Sequence, residues 1–415
     1  MTTLAIVSLI VTAAACFGWL SSRVLRLPVT IGSMVLTFVS SIALMLLSHS
    51  IPGLHTWAIT LVQRLQFEDL ILHGMLGLLL FAGAFLLDLE YLAQEKLAVG
   101  LLSVIGTVLS TACMAVAMHW ALALVGSPVP WMECLFFGAL ISPTDPIAVL
   151  EMLHRVGVAK NIQAQLAGES LFNDGIGAVL FLAVLAASRG AAPSIGHIGL
   201  MLIMQSAGGL LLGVALAFFA SELMRRVEAF EIEVLLTLSL ALGGYALAET
   251  FHVSAPLEAV AAGLALRRFN LTHHHTEISH ASLDRFWKVI DEVQNSILFV
   301  LLGLEVLVIP FSRFTLESGM MAAIGVTLIR GIVVALIVML VRWFQRGHET
   351  SILTLTWGGL RGGLSIALAL SVPASSGRGW ILATTYIVVI FSIVVQGGTI
   401  DLINRFGRGK RQAAQ

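Results

Sequence analysis

Ile141-Ser-Pro-Thr-Asp-Pro-Ile-Ala-Val-Leu150 is the stretch on which the fold turns. It lies inside a long apolar segment, yet sets Pro143 and Pro146 on either side of Thr144-Asp145. Each proline removes a backbone donor and clashes with the preceding helical turn. A helix crossing a bilayer must open here, freeing N–H and C=O groups at membrane depth. Irregular backbone there is tolerated only inside protein or beside a watery cavity. A charge near the bilayer centre costs about 2.5–3.5 kcal/mol on insertion scales. An opened helix carrying Asp145 is therefore a functional candidate, the plainer alternative being a simple kink.

A second break is expected at Thr356-Trp-Gly-Gly-Leu-Arg-Gly-Gly-Leu-Ser365, where four glycines surround Arg361. The two breaks fall in comparable places, late in each half of the chain. Paired interrupted helices mark the substrate site of secondary transporters.

The rest of the chain supports a membrane setting. Of 415 residues, 58% are hydrophobic and 11% charged, against about 25% charged in average soluble domains. Spans of about 20 apolar residues are predicted at roughly 3–22, 28–49, 69–88, 96–125, 131–153, 164–188, 195–222, 230–250, 254–269, 290–309, 319–343, 351–372 and 379–403. The expectation is an all-α membrane protein forming a single transmembrane domain over 1–415. The polar segment 268–288 is expected as a cytoplasmic loop or an amphipathic surface helix. The apolar run from Leu4 to Leu20 reads as the first span, because it lacks the basic start and cleavage site of a signal peptide.

The net charge of −1 gives no reason to expect a nucleic-acid partner. Cys16, Cys113 and Cys134 lie in apolar stretches without metal or redox spacing. With the N-terminus outside, seventeen basic residues fall on the cytoplasmic side and four on the outer side. That bias fits an odd number of spans with the C-terminus inside. The two remaining basic residues, Arg330 and Arg361, lie within spans.

The deep ionisable residues are Asp145, Glu169, Asp174, Glu258, Glu305, Arg330 and Arg361. Gly168-Glu-Ser-Leu-Phe-Asn-Asp-Gly175 places two polar pairs within two helical turns. Ser170 and Asp174 are i, i+4 and share one stripe, while Glu169 and Asn173 share the next. The first stripe offers a hydroxyl and a carboxylate, the hard oxygens a small alkali cation requires. Asp145, Thr144 and freed carbonyls of the opened span can complete such a site. Glu169 is better suited to pair with an arginine.

SPTDPIAVL, GESLFNDG and WGGLRGG, in this order, resemble the bacterial NhaP-type Na⁺/H⁺ antiporters and their NHE relatives. The similarity extends through Arg285-Phe-Trp-Lys-Val-Ile-Asp-Glu-Val-Gln-Asn-Ser296 and on to Glu305. The resemblance implies thirteen spans, an inverted repeat with two crossed discontinuous helices, and core helices at 131–188 and 319–372. It implies that Asp145 and Asp174 carry the transported ions, with Ser170 and the Thr144 main chain as further ligands. Glu169 would form a buried ion pair with Arg330 or Arg361, the sequence leaving that choice open. Asn173 beside Asp174 implies electroneutral exchange. A homodimer in the bacterial inner membrane is implied as well, with Na⁺ and H⁺ as substrates and no cofactor.

Some positions depart from the pattern. Ala82 stands where several relatives carry a glutamate, so any pH tuning by that group must differ here. Glu258 replaces a usually apolar residue and has no assigned role. The chain as given ends at Gln415, so the long regulatory tail of the eukaryotic relatives is not expected. The His273-His274-His275 run reads as a solvated loop. Rival readings are a K⁺/H⁺ antiporter, a cation channel and an intramembrane enzyme. The last lacks both an H-E-x-x-H helix and a histidine partner for its deep acids.

Overall fold

The computed structural model describes residues 3–25, 29–47, 60, 70–145, 150, 153, 157–189, 195–227, 229–272, 277–309, 311–345, 350–373 and 377–400. Pro146, the His273–His275 run and the basic C-terminal residues lie outside them. All regular structure among the described residues is helical, apart from one isolated antiparallel bridge between Asp145 and Leu360.

In chain order the helices are α1 Thr3–Leu20, α2 Val29–Leu47, α3 Leu76–Leu86, α4 Leu89–Gln94, α5 Lys96–Leu101, α6 Thr107–Leu124, α7 Trp131–Ile141 and α8 Lys160–Ser188. They continue with α9 Ile195–Met224, α10 Phe230–Thr250, α11 Ala255–Thr272, α12 Glu277–Glu305, α13 Arg313–Phe344, α14 Ile352–Gly358, α15 Gly363–Leu370 and α16 Arg378–Phe391. A π-helical segment, Leu102–Gly106, joins α5 to α6 in one rod. Each predicted span has a helical counterpart at its place in the chain.

Among the described residues, seven helical stretches are long and apolar enough to cross a membrane by length and composition: Ala5–Val24, Lys96–Leu124, α8, Gly199–Met224, α10, α13 and Arg378–Ile400. The others fall short for physical reasons that matter to function. At ~1.5 Å per residue, the 11 residues of α7 extend only ~16 Å. That is about half of a ~30 Å hydrocarbon core. The seven residues of α14 and eight of α15 likewise stop part-way. Helix α11 carries Glu258, Arg267 and Arg268.

The polar segment 268–288 is less of a loop than expected. Its first five residues finish α11 and Glu277–Lys288 begin α12. Trp287 explains the difference. It is fully buried, with its ring 4.7 Å from that of Phe81, and its indole N–H donates to Thr237 Oγ1 at 3.2 Å. Burying one tryptophan ring against α3 fixes this stretch as a packed helix.

Helix α11 lies along α9 and α3, α6 along α7, α12 along α2, and α13 along α16. The Gly208–Gly213 segment accounts for the closest of these approaches. Side chains at Gly209 and Gly213 would collide with the α11 backbone around Ser254 and Glu258. Small residues four apart let helices meet backbone to backbone in lipid, where packing has to replace the hydrophobic effect. Helix α13 starts sharply because Ser312 and Thr315 form a capping box. The Ser312 N–H donates to Thr315 Oγ1 at 2.7 Å, and Thr315 N–H returns a bond to Ser312 Oγ at 3.2 Å.

Candidate ion-binding site

The two broken elements meet at the bridge. Asp145 N–H donates to the Leu360 carbonyl at 2.8 Å, so each break satisfies part of the other's freed backbone. Gly362 is a glycine for reasons of space, since a side chain there would meet the Asp145 carboxylate. The guanidinium of Arg361 lies across the end of α7 and donates from Nη1 to the carbonyls of Ser142 (2.8 Å) and Pro143 (2.9 Å). These are the orphan acceptors at a helix C-terminus, where a cation is also favoured by the helix dipole. Arg361 is itself held from behind. Its N–H donates to Ser392 Oγ at 3.0 Å, Ser392 donates to Gln396 Oε1 at 2.6 Å, and Gln396 Nε2 reaches Thr327 Oγ1 at 3.1 Å.

Helix α8 closes on the first break because Gly177 leaves room for the Pro143 ring. Thr144 Oγ1 and Ser170 Oγ are hydrogen-bonded at 2.8 Å. Asn173 Nδ2 donates to Thr144 Oγ1 at 2.9 Å, and Thr144 N–H donates to Asn173 Oδ1 at 3.2 Å. Thr144, Ser170 and Asn173 are all at most 1% exposed. Asp145 and Asp174 are less enclosed as residues than these three neighbours. Asp174 lies within the electrostatic reach of both Asp145 and Arg361.

Glu169 faces away from this cluster. Its two carboxylate oxygens take both terminal nitrogens of Arg330, the Nη2–Oε2 bond being 2.8 Å, and Nη2 also donates to the Leu355 carbonyl at 3.1 Å. The forked pair joins α8, α13 and α14 in the dry interior. The choice left open by the sequence falls on Arg330, because Arg361 is committed to the carbonyls of the broken α7. The division into stripes was too strict for Asn173, which joins Ser170 at Thr144.

Several residues escaped sequence reasoning. Ser392, Gln396 and Thr327 are ordinary polar residues in apolar helices, with no local signal for their link to Arg361. Asp291 lies within the electrostatic reach of Asp145 and is hydrogen-bonded by Asn295. It lies in the quoted α12 motif, but the sequence does not single it out among the deep ionisable residues. Glu258 sits apart from the site. It is fully buried between α9, α10 and α11, and neither carboxylate oxygen has a hydrogen-bond partner among the described residues. Ala82 is fully buried in α3.

The model of the family described as "Sodium/hydrogen exchanger, transmembrane" matches residues 10–405. The chain belongs to the sodium/hydrogen exchanger family. Within that family, it is 36% identical to the Na⁺/H⁺ antiporter NhaP of Pseudomonas aeruginosa over 98% of this chain and 97% of the relative. It is 32% identical to the Na⁺/H⁺ antiporter NhaH of Halobacillus dabanensis, covering 84% of this chain and 85% of that one. The solved structure of the sodium proton antiporter MjNhaP1 from Methanocaldococcus jannaschii superposes with a TM-score of 0.73. It covers 96% of this chain and 97% of its own at 19% identity, which establishes the shared exchanger fold.

Proposed function

We propose that this protein exchanges Na⁺ for H⁺ across a membrane, using Asp145 and Asp174 as a shared binding pair. The reading rests on one observation above the others. Asp145 lies at the bridge between two interrupted helices, Asp174 lies within its electrostatic reach, and nearby Arg361 is occupied by the Ser142 and Pro143 carbonyls.

Carboxylates this close titrate as a coupled pair. The ionised pair attracts a cation, and protonation removes that attraction, so Na⁺ and H⁺ compete. Thr144 and Ser170 supply further oxygens beside the pair. If only loaded forms cross between the two access states, each cation moved one way returns protons the other way. The dry Glu169–Arg330 clamp keeps the core helices together while they move.

The carboxamide of Asn173 supports one Na⁺ per H⁺ with no net charge movement. It holds Thr144 through neutral hydrogen bonds and adds no titratable group to the pair. The basic bias supports an N-terminus outside and a C-terminus in the cytoplasm of a bacterial cell; the resemblance to the antiporter family supports a homodimer as the assembly. The exposed Trp120 and Trp131 near one set of helix ends, and Trp19 and Trp343 near the other, agree with two interfacial belts.

The deciding experiment is Na⁺-driven proton flux in proteoliposomes holding a pH-sensitive dye, with and without an imposed membrane potential. Flux that follows Na⁺ and ignores voltage is expected. Flux with K⁺ but not Na⁺ would favour the K⁺/H⁺ alternative. Unitary currents in a planar bilayer would favour a channel.

A further inference from the structure

We propose that Asp291 and Asn295 of α12 form a second coordination station for a small monovalent cation, in series with the Asp145–Asp174 pair. The inference rests on the exchange reading above and extends it along the route of the ion.

The placement follows from helical spacing. Asp291, Asn295 and Leu298 fall at i, i+4 and i+7 of one uninterrupted helix, and so share a stripe. Leu298 fixes where that stripe points, because a Cβ built on Gly363 would lie 2.7 Å from its Cδ1. Gly363 begins α15 at the second break, and its neighbour Gly362 abuts the Asp145 carboxylate. The stripe therefore faces the second break.

Burial divides the labour along it. Asp291 is half-buried. One turn deeper, Asn295 is 1% exposed, and its Oδ1 has no hydrogen-bond partner among the described residues, although its side chain bonds Asp291. A buried amide oxygen without a donor is a cost the fold does not need to bear. A passing cation would satisfy that oxygen, with Asp291 supplying the charge. Neighbouring Glu292 is mostly exposed and pairs loosely with Lys288 at 4.0 Å, so it faces away.

One carboxylate and one amide carbonyl make a weak site of hard oxygens. Weak sites in series suit transport, because an ion must be bound well enough to enter and loosely enough to leave. A negative charge beside the main pair also raises the local cation concentration.

The test is Na⁺-dependent proton flux in proteoliposomes over a range of Na⁺ concentrations for the unaltered protein, Asp291→Asn, Asn295→Leu and Glu292→Gln. Asp291→Asn and Asn295→Leu should raise the apparent KM for Na⁺ roughly tenfold, about 1.4 kcal/mol, with the maximal rate kept. Glu292→Gln should match the unaltered protein. An unchanged KM in both stripe variants, or a fall in maximal rate alone, would overturn the station. A second readout avoids dependence on turnover. In an Asp145→Asn/Asp174→Asn background, NaCl should still raise thermal stability in detergent, and adding Asp291→Asn should remove that effect. No Na⁺ effect in that background would also overturn it. Absence of exchange in the unaltered protein would instead defeat the underlying exchange reading.

Discussion

Asn173 grips Thr144 at two points, accepting its backbone N–H at 3.2 Å and donating to its hydroxyl at 2.9 Å. One side chain of α8 thus fixes the residue immediately before Asp145. Asn173→Ala would strand the buried Thr144 N–H, costing about 1–3 kcal/mol, while the Thr144 hydroxyl keeps Ser170. Exchange should fall by roughly tenfold or more, as a misplacement of about 1 Å does in other preorganised sites. Asn173→Asp keeps the acceptor, loses the donor and adds a titratable group beside the pair, so any flux it retains should become sensitive to an imposed membrane potential. Flux in proteoliposomes, paired with thermal unfolding in detergent, separates loss of activity from loss of fold.

Asp174→Asn and Asp145→Asn should each abolish Na⁺-driven proton flux while leaving the protein inserted in the membrane. Each removes one member of the pair for which cation and proton compete. In the unaltered protein, the same competition requires the apparent KM for Na⁺ to rise as pH is lowered. A KM independent of pH, or retained flux in Asp174→Asn, would sink the shared-site assignment.

Glu169→Gln leaves Arg330 buried without its counter-charge. Breaking one side of a buried pair costs about 3–5 kcal/mol, whereas replacing both sides with apolar residues is often neutral. A large fall in the melting temperature is expected for Glu169→Gln, with partial recovery in Glu169→Leu/Arg330→Met. Equal melting temperatures for the single and double variants would show that the clamp does not act as a pair.

How much of this was legible in the sequence depended on locality. Pro143 and the Gly358–Gly363 glycines announced the breaks, because proline and glycine act on their own backbone. The pairs within α8 were legible because helical spacing is local. The partner of Glu169 was not, since Arg330 and Arg361 are both deep arginines. The choice turns on which guanidinium caps Ser142 and Pro143, a contact across 219 positions in the case of Ser142. Ser392 and Asn295 gave no signal, because a hydroxyl or amide in an apolar helix is usually satisfied by its own turn. Trp287 shows the converse, a polar-looking segment made into packed helix by one distant aromatic cluster.

Glu258 offers a prediction in the opposite direction from the others. Its carboxyl is enclosed by α9, α10 and α11, against Gly244, where a side chain would collide with it. Neither of its oxygens finds a hydrogen-bond partner among the described residues. A buried polar group without a partner costs about 1–3 kcal/mol, and methionine has a similar length without that burden. Glu258→Met should therefore raise the melting temperature in detergent and leave Na⁺-driven flux unchanged. Gly244→Ala should lower stability, because helix packing must loosen to admit a methyl group at the carboxyl. If Glu258→Met kept its fold and lost exchange, the carboxyl would belong to the transport route, and its isolation from Asp145 and Asp174 would need a different explanation.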